Sequence, residues 1–66
     1  MVMDDFALFL GKNVKIIKKD GFRKFGLLKE SSPSGIILEF YNGEMEFISK
    51  DSIESLMIDL KVKNDG

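Results

Sequence analysis

Apolar residues alternate with charged ones in short runs that break at small polar dipeptides, and this spacing predicts strands with a period of two. Residues 12–19 set Val14 and Ile16 between lysines until Ile17 interrupts the alternation. Asp20-Gly21 and Asn42-Gly43 each separate two apolar runs and predict type I′ hairpin turns, in which both central residues take positive φ. In residues 22–30, Phe22, Gly26 and Leu28 share one parity while Phe25 and Leu27 share the other. Such a strand is apolar on both faces, and Gly26 is where it can bend sharply or admit another backbone. Ser31-Ser32-Pro33-Ser34 is a loop by composition, with Gly35 relaxing its exit. Residues 35–41 and 44–49 form the second hairpin, with Met45 and Phe47 alternating against Glu44 and Glu46. Lys50-Asp51-Ser52 is short enough for a tight or 3₁₀ turn. Residues 53–62 form the last strand, in which Leu56, Ile58, Leu60 and Val62 keep one parity, and residues 63–66 are a disordered tail. At the other end, residues 4–10 open with two acids and run into Gly11, which predicts an α-helix of about two turns. Too short to stand alone, that helix needs Phe6, Phe9 and Leu10 packed on something, such as an open end of a barrel. The prediction is an all-β, five-stranded, strongly bent small barrel with a short N-terminal α-helix.

Composition narrows what such a barrel can do. The chain has 66 residues, enough for one domain close to the lower limit of self-sufficient cores. It has neither Cys nor His, so disulfides and thiolate or imidazole metal sites are excluded, and packing or self-association must supply stability. The apolar run from Phe6 to Leu10 falls far short of the ~20 residues that span a bilayer. Asp4-Asp5 is the wrong flank for a secretory signal, so a cytoplasmic protein without membrane contact is expected. Asp4-Asp5 and Glu44-x-Glu46 have no partner base or nucleophile, and no glycine-rich phosphate cradle is present. A non-enzyme without catalytic residue, metal or cofactor is therefore expected.

The net charge of −1 conceals an asymmetry. Residues 11–30 hold seven cations and two acids, a net of +5, while the rest of the chain holds three cations and nine acids, a net of −6. A basic face on a near-neutral body suits phosphates or an acidic partner. Lysines on a hairpin also discourage stray strand pairing.

The motifs at these positions resemble the Sm-like family, which includes the Sm and Lsm proteins and bacterial Hfq, barrels of SH3-like plan. That family's first motif reads approximately Leu-x-Gly-Lys-x-Val-x-Val-x-x-x-Asp-Gly, then four residues, then Gly-x-Leu. Gly11, Lys12, Val14, Ile16, Asp20, Gly21, Gly26 and Leu28 stand at those spacings. Gly35-Ile36-Ile37-Leu38 resembles the family's third strand, and Ile48 with Ile53-Glu54-Ser55-Leu56 loosely resembles its second motif, so the likeness covers residues 10 to 56. It implies a homo-oligomer, a ring joined by strand 4 to strand 5 pairing between subunits, with Phe47, Leu56, Ile58 and Leu60 at the interface. The departures lie in the base-reading positions. The family's uridine pocket uses an Asp, a stacking side chain and an Asn where this chain has Ser31 to Gly35, and Ser49-Lys50 stands for its later Arg-Gly or Lys-His.

Two functions follow. RNA binding would use Lys18, Lys19, Arg23 and Lys24 for phosphates, Ser32 and Ser34 as hydrogen-bond donors, and Lys50 near a pore or loop surface. Ring avidity would compensate for a weak single site. The alternative is a protein-interaction or oligomerisation module without nucleic acid, favoured by the apolar last strand and the two-faced second strand. Tyr41 and the phenylalanines, from their strand positions, are expected mainly in the core.

Overall fold

The computed structural model describes residues 5–61, which form one five-stranded antiparallel sheet. β1 (Asn13–Lys18), β2 (Arg23–Ser31), β3 (Gly35–Glu39) and β4 (Met45–Ser49) make a meander. β5 (Ile53–Ile58) then returns beside β1, giving the order β4-β3-β2-β1-β5. The all-β prediction holds. The sheet curls around one core without closing, so β4 and β5 are edges with one strand neighbour each.

Val14, Ile16, Leu28, Ile36, Leu38, Ile48 and Ile53 are the buried core. They come from all five strands because the sheet bends along β2, and three local features produce the bend. Gly26 is the first. A Cβ there would stand 2.7 Å from the Glu39 carbonyl oxygen, so only glycine lets the β3 backbone approach this closely. The second is a register shift between Leu28 and Glu30, which leaves Lys29 unpaired and twists β2. The third is a shift opposite Ile17 and Lys18 that leaves Glu54 unpaired in β5. That bulge puts both Ile53 and Leu56 on the inner face at an odd spacing, which a period of two cannot show. Gly35 does not serve to relax a loop exit. It is buried in β3, and a Cβ there would meet the Phe47 ring at 2.6 Å and collide with the Ile48 carbonyl.

Both hairpins form where predicted but with different turns. Tyr41, Asn42 and Gly43 make a three-residue loop in which Gly43 N–H donates to the Phe40 carbonyl (2.9 Å) and Phe40 N–H to the Glu44 carbonyl (2.8 Å). Lys19, Asp20 and Gly21 repeat it between Lys18 and Phe22. Only the glycines, Gly21 at φ +94° and Gly43 at φ +90°, take positive φ, so these are tight turns followed by a left-handed glycine and not type I′. Asp20 and Asn42 contribute through their side chains. Asp20 Oδ1 accepts the Phe22 N–H and Asn42 Oδ1 the Glu44 N–H, each at 3.0 Å. The Ser32–Gly35 connection is a two-residue turn, closed by Ser32 N–H to Gly35 carbonyl (2.9 Å) and its reciprocal (3.2 Å), with Pro33 at its favoured first central position.

The N-terminal segment is a 3₁₀ helix, Asp5–Phe9, instead of the α-helix expected over residues 4–10, whose first residue lies outside the described ones. Leu10 N–H to Ala7 carbonyl (3.2 Å) and Lys12 N–H to Phe9 carbonyl (3.0 Å) continue the tight winding. Gly11 N–H then donates to the Leu28 carbonyl (2.9 Å), docking the chain on β2 before an α-turn can form. Phe6 and Phe9 pack on the core as expected, while Leu10 stays exposed.

Strand lengths also differ. β3 stops at Glu39, short of 41, because Phe40 already belongs to the hairpin closure. β5 stops at Ile58, short of 62. Buried Asp59 ends it by accepting the Lys61 N–H on Oδ1 (3.0 Å), and Leu60 points to solvent at 92% exposure. Val62 and the tail lie outside the described residues. Of the aromatic residues expected in the core, only Phe6, Phe9 and Phe40 pack there. Phe22 and Tyr41 sit at turns, and Phe25 and Phe47 have outward parity; all four are exposed.

Gly26→Ala is expected to lower the unfolding free energy by about 1–3 kcal/mol through overpacking against the Glu39 carbonyl. The measurement is a urea melt, and a midpoint equal to that of the parent would show that β2 and β3 can separate at no cost.

Candidate functional site

The β1–β2 hairpin ends in an open groove of about 570 Å³ lined by Lys18, Asp20, Phe22, Arg23, Lys24, Phe25 and Phe40. Strand parity explains its make-up. Arg23 and Phe25 face outward from β2, while Lys24, on the inner parity of Gly26 and Leu28, emerges at the end of the core. Its ammonium lies 2.9 Å from Glu46 Oε1 and 5.8 Å from the centre of the Phe40 ring. Glu46 shares the inner face of β4 with buried Ile48, so Lys24, Glu46 and Phe40 together cover one mouth of the curled sheet. Both charged side chains are about one-third exposed, which limits the pair to about 0.2–1 kcal/mol. Asp20 is engaged by its hairpin bond to the Phe22 N–H. Lys18 and Arg23 have no ion-pair partner among the described residues.

The residues predicted for RNA divide into two groups. Lys18, Arg23 and Lys24 line the groove, with Lys19 exposed beside it at the hairpin tip. Ser32, Ser34 and Lys50 form the second group. Lys50 N–H donates to the Ser34 carbonyl (3.0 Å), and the Ser32 and Ser34 hydroxyls are 3.0 Å apart. Ser32 also donates to the Gly35 carbonyl (3.2 Å), and the Lys50 ammonium sits 5.1 Å from the Phe6 ring. The 3₁₀ link Lys50–Ser52 joins the groups, since Ser52 accepts the Lys19 N–H at 2.9 Å. Phe22, Phe25 and Phe40 were missed as groove walls. The outward parity of Phe25 and the closeness of Phe22 to the turn were the available signals.

The interface residues expected for self-association are not equivalent. Phe47 is 55% exposed on the outer face of β4, next to exposed Met45. Leu56 packs against the core, Ile58 is half-buried, and Leu60 lies beyond the strand end. β4 contains no Lys, Pro or bulge, and what protects this edge is its five-residue length and the inward charge of Glu46. β5 has its Glu54 bulge. Among the described residues no cluster of His, Cys, Asp and Glu could hold a metal ion, and no helix is long and apolar enough to cross a membrane.

These features define a class of small, curled, five-stranded antiparallel domains with open edges and a cationic groove. No protein-family model matches the chain, and no curated protein matches it either. Among solved structures it is similar to a chain of the one described as "Structural basis of the Dcp1:Dcp2 mRNA decapping complex activation by Edc3 and Scd6". Sequence identity is 25% and the TM-score 0.71 over 88% of this chain and 62% of that one, so this chain spans less than two thirds of its neighbour's length.

A double-mutant cycle of Lys24→Met and Glu46→Gln should return a coupling of about 0.2–1 kcal/mol that shrinks as salt rises. A coupling of zero at low salt would mean that the pair does not hold the mouth of the sheet.

Proposed function

We propose that this chain is a protein-interaction module of the Sm-like small-barrel class, working by edge pairing: β4 accepts a strand from another chain, and that strand is β5 of a second copy. The bulge-free β4 edge, with Met45 and Phe47 exposed along it, carries the reading. The main-chain donors and acceptors of such an edge supply affinity, and the alternate outward side chains supply selectivity. The neighbour's place in a structure of complex activation supports protein partners for a domain of this shape.

RNA binding is the second reading, supported by the +5 segment and exposed Phe22. It has less support because Lys24 is paired with Glu46, the Lys50 ammonium lies over Phe6, and the Ser32 and Ser34 hydroxyls bond each other. Of the groups assigned to phosphates only Lys18, Lys19 and Arg23 lack an ion-pair partner among the described residues, while those assigned to bases and to the loop surface are engaged within the domain.

Light scattering at about 100 μM protein is expected to give a multiple of the 7.5 kDa chain mass. Phe47→Lys, an exposed position, is expected to return the assembly to monomer without loss of the fold. A wild-type protein that is monomeric at this concentration, or an assembly indifferent to Phe47→Lys, would overturn edge pairing.

A further inference from the structure

The groove at the hairpin is not isolated. A second depression of about 280 Å³ shares Arg23 and Phe25 with it and continues over Lys15, Met57, Leu60 and Lys61. The register explains the continuity: Lys15 pairs with Phe25 on one side and Met57 on the other, so the three form one outward row across β2, β1 and β5.

Apolar floors and cationic rims recur in both depressions. Each also holds one acid against three cations; Asp20 accepts the Phe22 N–H and Asp59 the Lys61 N–H. Lys15, Lys18, Arg23 and Lys61 have no ion-pair partner among the described residues. A strip of net positive charge thus runs along an exposed apolar row on a chain whose total charge is −1. Separate apolar depressions bordered by unpaired cations complement a ligand that brings carboxylates and apolar side chains together.

We infer that the two depressions are one docking track for an acidic peptide segment with two apolar anchors, one seated against Phe22, Phe25 and Phe40 and the other against Met57 and Leu60. This rests on the protein-interaction reading and names its partner class, on a surface separate from the β4 edge. A nucleic acid fits the track less well. The phenylalanines of the first depression could stack bases, but Met57 and Leu60 of the second offer no plane for one.

The test uses the full chain and a fluorescein-labelled peptide of about ten residues in which Asp and Glu surround one Phe and one Leu. Three controls accompany it: the same peptide with its acids changed to Lys, the same with Phe and Leu changed to Ser, and an oligo-uridine. Saturable binding is expected at about 50 mM salt, several-fold weaker at about 300 mM. Amide shifts should fall in residues 22–25 and 57–61, and neither control peptide should bind. Arg23→Glu, at an exposed position, should weaken binding about tenfold with an unchanged melt. Absence of binding, shifts confined to β4, equal binding of the Ser control, or tighter binding of oligo-uridine to the same residues would each overturn the track. Light scattering on the same samples separates this from edge pairing. An assembly that binds no peptide leaves edge pairing standing and removes the track, whereas a monomer that binds the peptide does the reverse.

Discussion

The approach of the Glu39 carbonyl to Gly26 is the contact on which the rest of this domain depends. A five-stranded sheet in a chain this short has too little apolar surface to bury one flat face against a second layer, and no second layer exists among the described residues. The sheet must therefore act as its own partner. Bending β2 at Gly26, with bulges opposite Leu38 and Ile17, lets Val14 and Ile16 meet Ile36, Leu38 and Ile48 in one cluster.

Curling one sheet on itself also decides what happens at its surface. The inner face holds few side chains, mostly branched aliphatics, and the larger rings are displaced to the rims and the outside. Phe6 and Phe9 pack at one part of the core, where Lys50 lies over the Phe6 ring, while Phe40 lies at another with Lys24 over it. Phe22, Phe25 and Phe47 are left as exposed apolar surface. The same constraint that makes a small core feasible thus leaves large apolar side chains on the outside.

Most of the architecture was legible in the sequence, because alternation and the Asp-Gly and Asn-Gly pairs are local signals. The five strands, the 3₁₀ link at Lys50–Ser52 and the special role of Gly26 all read correctly. What was not legible depends on backbone partners distant in sequence. The Glu54 bulge, which puts Ile53 and Leu56 on one face, is specified by pairing with β1. The end of β5 depends on Asp59, whose N–H reaches the Asn13 carbonyl at 3.0 Å, so the alternation through Leu60 and Val62 reads past it. Asp20 and Asn42 marked the turns correctly but act by accepting hydrogen bonds, and propensity alone cannot separate that role from tolerance of positive φ. The surface was read in part. The basic hairpin was visible as charge, whereas the diversion of Lys24 to Glu46 requires strands β2 and β4, which are not neighbours in the sheet.

The β1–β5 seam has a consequence of a kinetic kind. Every other strand pair joins sequence neighbours through a two- or three-residue turn, but Val14 meets Ile58 only after about two thirds of the chain has been traversed. Loop-closure entropy grows by about 0.6 kcal/mol per doubling of length, and roughly four doublings separate such a turn from this seam, an added cost of about 2.4 kcal/mol. That cost is met by the six residues of β5, chiefly Ile53, Leu56 and Ile58. β5 leaves the ribosome after β1–β4, so the nascent meander must wait with one side of β1 unpaired until β5 emerges.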